Sequence, residues 1–138
     1  MTDNFELYRT FLGVSHLLRH GHGEPELKMA PGQQRALAVL SRRGSMPQRE
    51  LLEEMGLARA TLSELLTRLE EKGLIERTRS KADRRAIVIS LTKKGKAAGE
   101  KVVSLESDIA DEAFAPLSAA QKSEMKSMLE TVLQSWGN

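Results

Sequence analysis

Residues 47–79, PQRELLEEMGLARATLSELLTRLEEKGLIERTR, contain the pattern on which the fold depends. Pro47 suits the first position of a short helix. The apolar side of that helix consists of Leu51, Leu52 and Met55. Residues 56–58 predict a tight turn, and a longer amphipathic helix follows from Arg59 to Lys72, with Gly73 as a favourable residue after its end. A short helix, a glycine-containing turn and a longer helix together predict a helix-turn-helix.

Two strand-like runs follow the longer helix, Ile75–Arg79 and Ala86–Leu91. In the second run, large apolar residues alternate with other residues, which is the period of two expected for a strand. The segment between the runs, residues 80–85, is too long for a tight two-residue turn and is rich in charge. The sequence therefore predicts a β-wing that projects after the helix-turn-helix.

Helices are also predicted on both sides of this module. Two precede it, at about residues 5–20 and 31–43. Two follow it, one capped by Thr92 and one that begins at a capping box formed by Ser118 and Gln121. The apolar stripes of the terminal helices exceed what one small core needs, so we expect a second copy of the chain to cover them. The predicted dimer interface comprises Phe5, Tyr8, Leu12, Ile109, Met125, Met128, Leu129, Val132, Leu133 and Trp136.

Charge is unevenly distributed along the chain, although the net charge of its 138 residues is only +2. Residues 1–27 carry a net charge of −2, residues 28–95 carry +7 and residues 96–138 carry −3. A basic segment between two acidic ones indicates a polyanionic partner for the middle of the chain. A solvated basic surface would give the same count, so the charge alone leaves both interpretations open.

Several classes of protein are excluded or disfavoured by what the sequence lacks. It contains no cysteine, which excludes a disulfide framework, a thiolate metal site and a thiol redox switch. Its longest stretches without a charged residue are nine residues long, at 10–18 and 113–121. A transmembrane helix needs about twenty mostly apolar residues, and no secretory signal is recognisable at the start, so we expect a cytoplasmic protein that does not enter the membrane.

The outward face of the longer helix has the chemistry needed to read duplex DNA. This face comprises Arg59, Ala60, Thr61, Ser63, Glu64, Thr67 and Arg68. Arginine can make two hydrogen bonds to guanine, hydroxyl groups are short donors, and methyl groups can contact thymine in the major groove. An ordinary solvated helix face is the alternative, but the neighbouring turn and wing favour DNA recognition.

The predicted wing carries a cluster of cations around one acidic residue. Its charged side chains are Arg77, Arg79, Lys81, Asp83, Arg84 and Arg85. Cations this close repel one another in solvent, whereas a phosphate backbone or a narrow minor groove would stabilise them. Asp83 would repel phosphate, so we predict that it orients a nearby arginine through charge-assisted hydrogen bonds.

Three short motifs around the wing resemble those of the MarR family of transcriptional regulators. They are the run at residues 73–77, the Asp-Arg-Arg at 83–85 and the Ser-Leu-Thr-Lys-Lys-Gly at 90–95. The resemblance covers nearly the whole chain. It implies a homodimer that binds a pseudo-palindromic operator, usually as a repressor, and that is often released by a small aromatic ligand. It also implies that Arg85 is the wing arginine and Asp83 its acidic partner, with a ligand pocket near Phe11, Ser15 and the second helix.

Two positions depart from the family pattern. Glu64 stands where a basic or neutral residue is common; it could accept a hydrogen bond from cytosine, but pairing with Arg68 one turn later is favoured. Ala58 stands where a capping residue is expected, so we expect Arg59 to become fully ordered only on DNA.

The histidines of the first helix region raise the question of a metal site. His16 and His20 are four residues apart, and His22 follows after a glycine. Without cysteine, and with the nearest glutamates beyond a glycine-rich break, solvated histidines are the favoured interpretation. We therefore predict no metal and no cofactor.

The sequence as a whole predicts a mainly α fold with a small β-wing, a winged helix-turn-helix whose N- and C-terminal helices form a dimerisation region. Residues 1–27 and 96–138 would provide the dimerisation helices, and residues 28–95 the domain that binds double-stranded DNA. Two alternatives are a DNA-binding protein without an effector and a protein-interaction adaptor on the same fold. An enzyme is disfavoured, because no phosphate-binding glycine loop or catalytic constellation is recognisable.

Overall fold

A computed structural model describes residues 1–20 and 29–137 of the chain. The helices are α1 (Asn4–His20), α2 (Pro31–Arg43), α3 (Gln48–Met55), α4 (Arg59–Glu71), α5 (Lys93–Phe114) and α6 (Ala119–Trp136). The strands are β1 (Met46–Pro47), β2 (Ile75–Arg79) and β3 (Ile87–Leu91). This mainly helical fold with a small sheet confirms the predicted fold class. Among the described residues, no helix is both long and apolar enough to cross a membrane.

The hydrophobic core lies in the middle of the chain, between α2, α3, α4 and the sheet. Leu37 and Leu40 of α2 pack in one cluster with the inward leucines of α4, of which Leu62, Leu66 and Leu69 are fully buried. Full burial of a leucine side chain stabilises a fold by roughly 1.5–3 kcal/mol. The helical periodicity in the sequence therefore identified the residues that hold α4 in place and leave its other face to solvent.

The sheet contains a short strand that was not predicted from the sequence. The strand order is β1-β3-β2, with both pairs antiparallel. Pro47 was predicted to be the first residue of α3, but it lies in β1 opposite Val88, and α3 begins at Gln48. Its backbone is extended, with φ −60° and ψ 143°. A proline at the sheet edge loses no hydrogen bond, because its missing N–H would not be needed there.

The C-terminal end of α4 is fixed by several hydrogen bonds. Gly73 has a positive φ of 75°, and its N–H donates to the carbonyl of Glu70. The Thr92 hydroxyl donates to the Gly73 carbonyl at 2.6 Å and accepts from the Gly95 N–H at 3.0 Å, which caps α5 as predicted. One threonine thus links the end of α4 to the start of α5. The predicted α4 extended to Lys72, but the helix ends at Glu71, with Lys72 as its C-cap.

The chain divides into two compact units, one made of the middle of the chain (22–106) and one made of its two ends (1–21 and 107–138). In the second unit, α6 begins at the predicted capping box, where Ser118 and Gln121 exchange hydrogen bonds. No residue of α6 is buried within the described chain. Many large apolar side chains of this unit are exposed, among them Trp136 at 90% and Leu133 at 69%, whereas Ile109 and Leu129 are half-buried.

Candidate DNA-binding interface

The outward face of α4 is accessible along its length. Six of its seven predicted contact residues are exposed, and Ser63 is half-buried. The preceding residue, Ala58, gives no side-chain hydrogen bond to the helix start, which agrees with its lack of a capping group. The first N–H groups of α4 therefore lack a side-chain acceptor from this position, and an uncapped helix N-terminus is electrostatically favourable for an anion.

Glu64 and Arg68 form an ion pair on this face, as predicted. The Arg68 Nη2 lies 3.0 Å from the Glu64 Oε1, and both side chains are more than half exposed. An exposed pair one helical turn apart stabilises a helix by only about 0.3–0.5 kcal/mol. Arg68 can therefore leave Glu64 for a DNA group at little cost.

Thr67 and Arg77 are hydrogen-bonded to each other, and the Arg77 side chain is largely removed from solvent. The Arg77 Nη2 donates to the Thr67 hydroxyl at 2.6 Å, and its Nε lies 3.7 Å from the Glu70 carboxylate. The Arg77 side chain is only 18% exposed. Arg77 was predicted to be one of the exposed wing cations, but it lies within β2 with its guanidinium against Thr67 of α4.

The wing loop, residues 80–86, is held by its own side chains. The Ser80 hydroxyl accepts from the backbone N–H groups of Ala82 and Asp83, both at 3.2 Å. The Asp83 carboxylate accepts from the backbone N–H of Arg85 at 3.0 Å. These are the local turns that serine and aspartate form with the chain two or three residues ahead.

The role of Asp83 therefore differs from the prediction. It was expected to hold an arginine guanidinium, but its carboxylate accepts from a backbone N–H, that of Arg85. Among the described residues, Asp83 forms no ion pair. A short carboxylate in a tight loop reaches the amide two residues later more easily than the end of a long, exposed side chain.

The wing cations differ in whether their side chains already make hydrogen bonds within the protein. Arg79 donates to the carbonyl of Arg84 at 2.8 Å, which closes the base of the loop. Within the described part of the chain, the side chains of Lys81, Arg84 and Arg85 make no hydrogen bond or ion pair. Three exposed positive charges thus sit on a loop whose backbone is fixed without them.

A groove of about 460 Å³ lies between the wing and the start of α4, the helix expected to enter the major groove. It is lined by Pro47, Gln48, Arg49, Leu52, Arg59, Leu62, Asp83, Arg85, Ala86 and Ile87. Arg59 of α4 and Arg85 of the wing thus border one groove. Arg49 of α3 borders it too and was not predicted, although its place in the first turn after Pro47 was a usable signal.

The residues predicted to line a ligand pocket, and the histidines, lie in or next to α1. Phe11 is 56% exposed, and the Ser15 hydroxyl accepts a hydrogen bond from Arg19 at 2.7 Å. Their role in a ligand pocket stays a prediction. His22 lies outside the described residues, and within those residues no three or more metal-ligating side chains come together in a group that could hold an ion.

Sequence comparison identifies the family of this chain. The model of the MarR family matches residues 29–87. The organic hydroperoxide resistance transcriptional regulator of Bacillus subtilis is 32% identical over 109 residues, which cover 79% of this chain and 73% of that protein. The uncharacterised helix-turn-helix transcriptional regulator YwhA of the same organism is 30% identical over 71% of this chain and 70% of its own length.

A solved structure extends the match to the whole fold. A mutant MarR from E. coli in complex with operator DNA superposes with a TM-score of 0.78 and is 25% identical, over 96% of this chain and 99% of that one. The chain is thus a winged helix-turn-helix protein of the transcription-regulator class. More particularly, it belongs to the MarR family.

Proposed function

We propose that this chain is a homodimeric regulator, acting as a repressor, that binds a pseudo-palindromic operator in duplex DNA. Each α4 would enter a major groove, and each wing would reach the adjacent minor groove. In a two-fold symmetric dimer the half-sites would lie about one helical turn, roughly 34 Å, apart. The chain would act in the cytoplasm by binding and not by catalysis.

One observation carries this proposal: an arginine of the exposed α4 face and an unpaired arginine of the wing border the same groove. Arg59 and Arg85 come from different elements and line it together. Their side chains have no carboxylate partner among the described residues. Arginines that are free of protein partners and lie next to short hydroxyl and methyl side chains suit phosphate and base edges at once.

The dimer is supported by the apolar surface of the unit formed by the chain ends. Tyr8, Met128, Val132, Leu133 and Trp136 are each at least 58% exposed. Apolar surface contributes about 25 cal/mol for each Å² removed from water, so several large side chains on α1 and α6 gain substantially from a second copy. Two-fold pairing would also supply two recognition helices for one operator.

Regulation by a small aromatic ligand is the second part of the proposal. The sequence contains no cysteine, so a thiol-oxidation switch is excluded. The ligand would bind near Phe11 and Ser15 and stabilise a dimer state whose two winged helix-turn-helix modules fit the operator poorly. A regulator without an effector would differ by showing no ligand-dependent release.

Selection of bound sequences from a random pool of duplex DNA tests the proposal most directly. We expect enrichment of an inverted repeat, with two protomers per duplex by sedimentation. Selected DNA without any symmetric motif, or binding that does not weaken as salt rises, would contradict it. Release from the selected operator by small aromatic acids and phenols, checked against a shift in melting temperature, then tests the effector.

A further inference from the structure

The contact between Arg77 and Thr67 joins the wing to the recognition helix. Strand alternation explains why Arg77 points inward: it lies two residues after the buried Ile75 and pairs with the buried Ile89 of β3. The guanidinium therefore lies over α4, where it reaches the Thr67 hydroxyl at 2.6 Å. A short charge-assisted hydrogen bond is about twice as strong as a neutral one.

The Thr67 hydroxyl is already engaged both as a hydrogen-bond donor and as an acceptor. Its hydrogen is donated to the carbonyl of Ser63 at 2.9 Å, while its oxygen accepts from Arg77. A hydroxyl has one hydrogen, so Thr67 has no donor left for a base edge. Although it lies on the predicted reading face, its polar group is engaged inside the protein.

We propose that Thr67 and Arg77 form a helix–wing clamp that positions the wing relative to α4 and does not itself read the DNA sequence. The clamp rests on the proposed DNA-binding function. In the proposed complex the helix and the wing contact different grooves, so the angle between them decides whether both can bind one half-site. Fixing that angle in advance avoids an ordering cost at the moment of binding.

A double-mutant cycle with the wing arginine tests the clamp. Thr67→Val removes the hydroxyl at nearly constant shape, and Thr67→Ser is the matched control that keeps it. In the otherwise unchanged protein we expect Arg85→Ala to weaken operator binding by about tenfold or more, the equivalent of one charge-assisted contact. In the Thr67→Val background the same change should cost less than about threefold, because the wing is no longer held in position.

Fluorescence anisotropy on the selected operator gives the affinities, and thermal unfolding and sedimentation show whether each variant is a folded dimer. If Thr67→Val does not fold, Arg77→Lys takes its place, since lysine keeps the charge but lacks the planar fork. The same loss of coupling is expected for it.

The clamp would be overturned if the losses of operator affinity caused by Arg85→Ala and Thr67→Val simply add in the double variant. If Arg85→Ala is equally damaging in the wild-type and the Thr67→Val backgrounds, and Thr67→Val changes the preferred base at one position, then Thr67 reads DNA directly. A wild-type chain that binds no duplex from the random pool would overturn the proposed function, and the clamp with it. Additive costs in a protein that does bind DNA would overturn the clamp alone.

Discussion

A methyl group at position 95 would overlap the backbone carbonyl of Leu74. Gly95 is therefore required by close packing and not by an unusual backbone conformation. The adjoining hydrogen bonds of Thr92 hold the start of α5 against the end of α4, so neither backbone can move away without loss. At the residue scale, the lack of a side chain at Gly95 allows the start of α5 to pack directly against the backbone after α4.

Gly95→Ala is expected to destabilise the protein by about 3 kcal/mol or more, because the added atom overlaps backbone that cannot repack. Gly99→Ala is the control, since its new methyl would lie 3.1 Å from the Cβ of Ser41 and 3.2 Å from the Leu37 carbonyl oxygen. Urea unfolding at fixed protein concentration gives the free energy of unfolding of both variants. If Gly95→Ala lowers this free energy no more than Gly99→Ala does, the steric explanation is contradicted.

Asp83→Ala and Asp83→Asn separate the shape of the wing loop from its charge. Asparagine keeps an oxygen that can accept from the Arg85 N–H, so we expect operator affinity equal to or above that of the wild type. Alanine removes the acceptor, and we expect an affinity loss of about threefold to tenfold, the equivalent of one modest hydrogen bond. Equal losses in both variants, measured by anisotropy, would instead support a role for the negative charge.

At the scale of elements, the helices and the strands β2 and β3 were predictable, but β1 and the side-chain contacts between elements were not. Apolar residues recur in α2 and α4 with the helical period, so burial of Leu37 and Leu62 followed from spacing. The two-residue strand β1 is too short to show any period. The inward direction of Arg77 could have been read from its alternation with Ile75, but a positive charge next to a basic loop suggested solvent. The engagement of Thr67 depends on a contact ten residues away, which no local pattern contains.

The wing as an element is tested by Arg85→Ala, with Arg85→Lys as the matched control. Loss of the side chain should weaken operator binding strongly and leave the dimer intact. If Arg85 contacts phosphate, the slope of log affinity against log salt should become shallower by about 0.9 for each site lost, and lysine should restore it. Near-normal binding by the alanine variant in a gel shift would contradict a role for the wing.

At the scale of the whole molecule, association is expected to decide function. The recognition helix and wing belong to one compact unit and the exposed apolar helices to another. A single recognition helix covers too few base pairs to define an operator, so pairing of two chains is what would give specificity. The excess of apolar residues in the terminal helices predicted dimerisation from the sequence. It did not predict which atoms would be in contact across the dimer interface.

Leu133→Glu is expected to weaken the dimer, because Leu133 is 69% exposed on the apolar stripe of α6 and a carboxylate there would be desolvated on pairing. Ser123→Glu places the same group on the side of α6 away from that stripe and should leave the dimer unchanged. Sedimentation at several protein concentrations measures the association. Operator affinity should fall with dimerisation in the first variant; a stable Leu133→Glu dimer would place the interface elsewhere.

In the wing loop, the residues that fix the backbone conformation are different from the residues that present charge to solvent. A sequence change usually alters both properties together. Ser80 and Asp83 set the path of the backbone through main-chain groups, while Lys81, Arg84 and Arg85 contribute nothing to that path with their side chains. The three outward positions can therefore vary without refolding the loop. For protein engineering, positions 81, 84 and 85 are therefore suitable for randomisation. A library of variants at these positions would sample new operator preferences while the loop backbone stays unchanged.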